Sequence, residues 1–139
     1  MKRTYKSMMG VTLLEIMLVL AIAALVIVMS IRFYQSASSS QKVNAMISLI
    51  NGITAAGENY FNANSSTYDG LNNAGIAPYM PNNTVPNTPW GGAITVTGTG
   101  SVLTIAPAGI PANDCTVIMQ FLTTNNKFGG TCTSITYTQ

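Results

Sequence analysis

The chain has 139 residues, 47 % hydrophobic and only 7 % charged, with a formal net charge of +2 and no histidine. That length allows one modest domain. Lys2, Arg3 and Lys6 all precede Gly10, and beyond it Arg32, Lys42 and Lys127 are outnumbered by Glu15, Glu58, Asp69 and Asp114. The balance excludes a basic protein built to bind nucleic acid, and no direct nucleic-acid contact is expected.

Residues 1–10 read as a short basic leader whose charge holds it on the cytoplasmic side of a membrane. From Val11 to Ile31 the only formally charged side chain is Glu15. The apolar run is about 20 residues, the length a bilayer requires. A secretory signal has a shorter apolar core with its cleavage site after it. Here Gly10 stands before the run, so a cut at that glycine leaves the apolar segment on the mature chain. An ionised carboxylate within such a segment costs roughly 2.5–3.5 kcal/mol, which marks Glu15 as a functional candidate.

No proline occurs between Val11 and Ala77, so the helix is expected to continue past Arg32. Val43, Ile47, Ile50, Thr54, Gly57 and Phe61 recur at alternating spacings of four and three, with Met46, Leu49, Ile53 and Tyr60 beside them. This predicts an amphipathic helix with a broad apolar stripe, with Gln41, Lys42, Asn44, Ser48, Asn51 and Glu58 mostly on the other side. Gly52 and Gly57 each weaken it by about 1 kcal/mol relative to alanine. The Ser36–Ser40 run is a further soft spot.

From Asn62 to Trp90 the chain turns to Asn, Ser, Thr, Gly and Pro, with Pro78, Pro81, Pro86 and Pro89 marking a loop. One helical turn is expected within Leu71–Ala77. Tyr68, Leu71, Ile76, Tyr79 and Trp90 supply packing anchors; stacking of Trp90 on a sugar is the lesser alternative. Ala93–Thr97 and Val102–Ala106 read as strands of a hairpin closed by Gly98–Ser101. A short helix is expected over Ala112–Thr123, capped by Asn113 or Asp114, and a last strand over Thr131–Thr138 after Gly129-Gly130. The predicted divisions are 1–10 leader, 11–34 membrane-spanning half-helix, and 35–139 globular head.

Cys115 and Cys132 stand 17 positions apart. If the head is exported, one disulfide between them is expected; in the cytosol two thiols would remain. Two cysteines without histidine leave a zinc site short of ligands, and the acidic residues are too dispersed for calcium. The carboxylates are scattered, no serine or cysteine has a base beside it, and no glycine loop is arranged to cradle phosphate. The sequence therefore predicts neither an enzyme nor a cofactor.

Two stretches carry a family likeness. Gly10-Val11-Thr12-Leu13-Leu14-Glu15 with its apolar continuation resembles the class III signal of type IV prepilins, and is similar to the pseudopilins of type II secretion. Thr88-Pro89-Trp90-Gly91-Gly92-Ala93-Ile94-Thr95-Val96, followed by Ile110-Pro111-Ala112-Asn113-Asp114-Cys115, resembles the PilS-type, type IVb-like pilins, relatives of bundle-forming and conjugative thin-pilus subunits. The resemblance implies an α+β ladle: a long N-terminal helix, packed by its C-terminal half on a small antiparallel sheet, with a disulfide-bounded C-terminal region.

Function follows from the same resemblance. A prepilin peptidase that is also an N-methyltransferase would cut after Gly10 and methylate Val11. Glu15 would pair with the Val11 amine of a neighbouring subunit, and Cys115 and Cys132 would form the C-terminal bridge. The implied partners are identical or related pilin subunits, that peptidase, an inner-membrane assembly platform, and the bilayer before assembly. The implied path runs from single-pass inner-membrane precursor to extracellular filament, for adhesion, aggregation or conjugation. A pseudopilin or minor pilin of a secretion or DNA-uptake machine is the nearer alternative. A signal-anchored periplasmic ligand-binding protein is the more distant one.

Overall fold

A computed structural model describes residues 12–139. The chain is α+β, with a 51-residue helix α1 (Leu13–Ala63) followed by a four-stranded antiparallel sheet and a short helix. Its compact units divide between Ser38 and Ser39. In the first unit every described residue from Thr12 to Ala37 is exposed.

The second unit, residues 39–139, holds the core. Within it, α1 buries Val43, Met46, Ile50, Ile53 and Gly57, spaced three and four apart. This seam is rotated slightly from the expected one: Met46 and Ile53 are fully buried, whereas Ile47 and Phe61 are only partly so. Thr54 is also buried, and its hydroxyl donates to the Ile50 carbonyl, so the core gains no unpaired group there. The Ser36–Ser40 run stays helical.

After α1 come α2 (Asn73–Ile76) and two single 3₁₀ turns, Ala77–Tyr79 and Pro81–Asn83. Asn72 caps α2 through a 2.9 Å bond from the Gly75 amide. The strands are β1 (Ile94–Thr99), β2 (Val102–Pro107), β3 (Phe128–Thr131) and β4 (Ser134–Thr138), in the order β1-β2-β4-β3. Gly100-Ser101 closes the first hairpin, with Gly100 at φ 58, where a two-residue turn needs a positive angle. Register places Gly98, Leu103, Tyr137 and Phe128 in one cross-strand row and Val96, Ile105, Ile135 and Gly130 in the next. Leu103, Ile105, Ile135 and Val96 are fully buried, so this face is the core face.

The outer edge of β1 is covered by the preceding loop. Asn73 donates its amide to the Ile94 carbonyl at 2.8 Å and accepts from the Val96 amide at 2.6 Å, while the Gly98 amide reaches the Leu71 carbonyl at 3.2 Å. A side-chain amide thus stands in for a strand residue and removes an open edge. Asp69 fixes the hairpin by accepting from the Gly100 amide at 2.6 Å, which holds its carboxyl below the usual aspartate range.

The C-terminal region differs from expectation in two ways. The last strand is not continuous: β3 and β4 form a hairpin with Cys132-Thr133 at its turn, and Gly129-Gly130 lies inside β3. Gly130 has φ 91, and a Cβ there would stand 2.2 Å from the Ser134 carbonyl oxygen. The residue is a strand glycine because the hairpin passes too close for a side chain. The short helix α3 (Ala112–Leu122) opens at Pro111 with no side-chain cap, and Asp114, in its first turn, instead accepts from the Ser39 hydroxyl.

The two helical glycines have opposite environments. A Cβ on Gly52 would meet nothing within 4 Å, whereas one on Gly57 would lie 2.7 Å from Cδ2 of Leu103, itself fully buried. Gly52→Ala is expected to stabilise the head by about 0.4–1 kcal/mol. Gly57→Ala is expected to destabilise it, because overpacking costs about 1–3 kcal/mol and exceeds the gain in helix propensity. Thermal unfolding of the two single variants in detergent checks the sign of each.

Candidate functional site

The apolar half of α1 is one candidate surface. Leu13 is 81 % and Phe33 79 % exposed, and the large apolar side chains between them are at least half exposed. The stretch is long and apolar enough to cross a membrane. Ser30 donates its hydroxyl to the Val26 carbonyl at 2.8 Å, which satisfies it within the helix. Glu15 stands exposed in the first turn. Its amide is held by Thr12, whose hydroxyl oxygen accepts at 3.3 Å and whose carbonyl accepts at 3.0 Å. An acidic group in that turn also suits the positive end of the helix dipole. Gly10 and Val11 lie outside the described residues.

The second predicted feature is complete. Cys115, in the first turn of α3, is bonded to Cys132 in the β3–β4 turn, with their Cα atoms 5.7 Å apart. The bridge joins helix to hairpin turn rather than to the body of a strand.

The corner from Thr88 to Gly92 is built around one buried threonine. The Thr88 amide donates to the Gly92 carbonyl at 2.8 Å, the Thr88 hydroxyl accepts from the Gly92 amide at 2.9 Å, and it donates to the Ala108 carbonyl at 3.1 Å. A Cβ on Gly92 would stand 2.0 Å from that same Ala108 oxygen. Trp90 beside it is partly buried against the core.

A polar cluster lies where α1 meets the last strand. Tyr137 donates its hydroxyl to Glu58, and Lys127 stands 5.6 Å over the Tyr137 ring with its ammonium 3.4 Å from the hydroxyl. Burial, then the hydrogen-bonded Glu58 carboxylate, pushes the Tyr137 phenol well above the usual tyrosine value. Tyr68 is fully buried, its ring 4.8 Å from Phe61 and its hydroxyl without a hydrogen-bond partner among the described residues. Burial and Glu58 raise its pKa as well. Glu58 therefore follows Asn44 and Asn51 along one flank of α1, but it is half-buried and hydrogen-bonded rather than solvated. Its partner is a strand residue 79 positions later, which helical spacing does not reveal. The cluster clips α1 to β4.

No protein family, curated protein or solved structure matches the chain. The fold and these surfaces define an α+β protein with a disulfide-tied head and an apolar helix able to span a bilayer.

Proposed function

We propose that the chain is a structural subunit of a type IV, IVb-like pilus, made as a membrane precursor, cut after Gly10 and polymerised into a surface filament for adhesion, aggregation or conjugation. The observation that carries the reading is the exposed apolar stretch of α1 with Glu15 as its one carboxylate. A simple membrane anchor needs the apolar side chains but gains nothing from a carboxylate that costs roughly 2.5–3.5 kcal/mol in hydrocarbon. A polymer whose subunits bring an amine to that position removes the penalty on assembly.

In this mechanism, cleavage exposes the Val11 amine, and Glu15 of the adjoining subunit pairs with it. Matching the two charges sets the axial offset between neighbours. The apolar helices then pack on one another in the filament interior, leaving the bilayer for a protein environment. Amine and carboxylate sit at different positions on each copy, so the contact is heterologous and propagates as a helix instead of closing. The precursor's partners are the lipid bilayer, the processing peptidase and an inner-membrane assembly platform.

The test is the intact mass and N-terminal sequence of the chain from membrane and sheared-surface fractions. A chain beginning at Val11, heavier by one methyl group and abundant in the sheared fraction, is the expected result. A chain still beginning at Met1 in cells with an active prepilin peptidase overturns the reading.

A further inference from the structure

Within residues 39–139, α1 has two unlike flanks. Leu49 and Asn51 are two positions apart, about 160° around the helix, and Lys42 and Asn44 repeat that separation two turns earlier. On the Asn44–Asn51 flank lies α3: Asp114 and Val117 border Asn44, and Phe121 borders Asn51. Asp114, Val117 and Phe121 are spaced three and four apart, hence on one helix face. Val117 and Phe121 are 52 % and 60 % exposed. This is an apolar ridge with an acidic end.

The opposite flank is a hole with a basic end. Ser48, Leu49 and Gly52 of α1 and the 80–86 loop enclose an open pocket of about 290 Å³, its apolar wall formed by Leu49, Met80, Pro81 and Pro86. Its Gly52 side is open, since a Cβ there would meet nothing within 4 Å. Lys42 lies two turns before Leu49 on the same side. Ligand cavities run about 300–1,000 Å³, so this one is at the small end and suits a single aromatic side chain.

The geometry points to a lateral contact between copies of this chain, in which Phe121 of one head enters the Leu49–Pro86 pocket of the next while its Asp114 faces the neighbour's Lys42. Three observations select a second copy as the occupant. The charges are of opposite sign, in a head that carries few charges at all. Both flanks place the ionic group beside the 39–44 stretch of α1 and the apolar group beside 48–52, so one sliding position satisfies both pairs. Ridge and pocket lie on opposite flanks of one copy, so the contact is heterologous and repeats from head to head, as a filament requires. The inference rests on the filament reading and names the surface by which the heads join.

The experiment places p-benzoylphenylalanine at Phe121 in the full-length chain, in cells that also make an isotope-labelled copy, with photo-cross-linked peptides read by mass spectrometry. Cross-links between unlike-labelled copies, from position 121 to peptides carrying Leu49 or residues 80–86, are the expected result. Lys42→Asp or Asp114→Lys alone should lower the cross-link yield about fivefold, and the double reversal should restore it. Restoration separates a contact from simple misfolding. Chains cut after Gly10 and present in sheared filaments, but cross-linked elsewhere, only to position 121 of another copy, or not at all, overturn this contact and leave the filament reading standing. Uncut, monomeric chains overturn both.

Discussion

Replacing Glu15 with alanine is expected to leave the chain in the membrane at undiminished level and to abolish filament growth. Insertion does not need the carboxylate; removing it takes away a penalty of roughly 2.5–3.5 kcal/mol in hydrocarbon. Assembly does need it, because without Glu15 the Val11 amine of each incoming subunit enters an apolar bundle unpaired. Breaking one partner of a buried pair costs about 3–5 kcal/mol. On each added subunit that is a weakening of more than about 100-fold, enough to prevent elongation. Glu15→Gln separates charge from hydrogen bonding: it keeps an acceptor for the amine but not the compensating charge, and its filaments should be sharply reduced. Membrane fractionation and electron microscopy of sheared filaments read both effects. Filaments of normal number and length from Glu15→Ala would leave the carboxylate without the role assigned to it.

Removing the Cys115–Cys132 bridge is the second large effect. The bond closes a loop of 17 residues between α3 and the β3–β4 turn. In the chain-entropy account, such a loop contributes on the order of 3 kcal/mol by restricting the unfolded state. In a head of this size that corresponds to a melting point about 15 °C lower for the Cys115→Ala, Cys132→Ala double variant. The effect should concentrate in the elements the bond joins. Faster amide exchange is expected in α3 and β3, while β1 and β2, held by their own pairing and by Asn73, should keep most of their protection. Cys132 is buried, so two alanines avoid the polar group that serine would introduce. Thermal unfolding and hydrogen exchange of the full chain in detergent, oxidised and variant, measure the two effects; an unchanged melting point would show that packing alone holds the hairpin.

Elements governed by local chemistry were legible in the residues. The proline-free run from Val11, the apolar stripe from Val43 and the alternation in β1 and β2 each specify an element by spacing that neighbouring residues express without distant help. The cysteine pair was legible for another reason: two cysteines leave only one intramolecular partner. Between Val11 and Ile31, Glu15 was conspicuous as the one charge, whatever the rest of the chain does.

Long-range packing decided the remainder. Gly52 and Gly57 look alike in sequence, yet one faces open space and the other faces Leu103, across a separation that no helical period encodes. Glu58 appeared to be a solvent-facing residue until Tyr137, arriving from the other end of the chain, met it. Gly129-Gly130 read as a break, and only the return of β4 showed Gly130 to be a strand position with no room for a side chain. Val117 and Phe121 carry no sign in sequence that they stay uncovered, because helix periodicity identifies an apolar residue but not whether a partner reaches it. The sequence by itself determined where the chain is helical, where it is extended and where it can enter a membrane, since those choices follow from backbone preference and apolar spacing. Which glycines are crowded, which carboxylate is paired inside the head and which apolar residues remain exposed were decided by tertiary structure, because each depends on atoms brought together from distant positions.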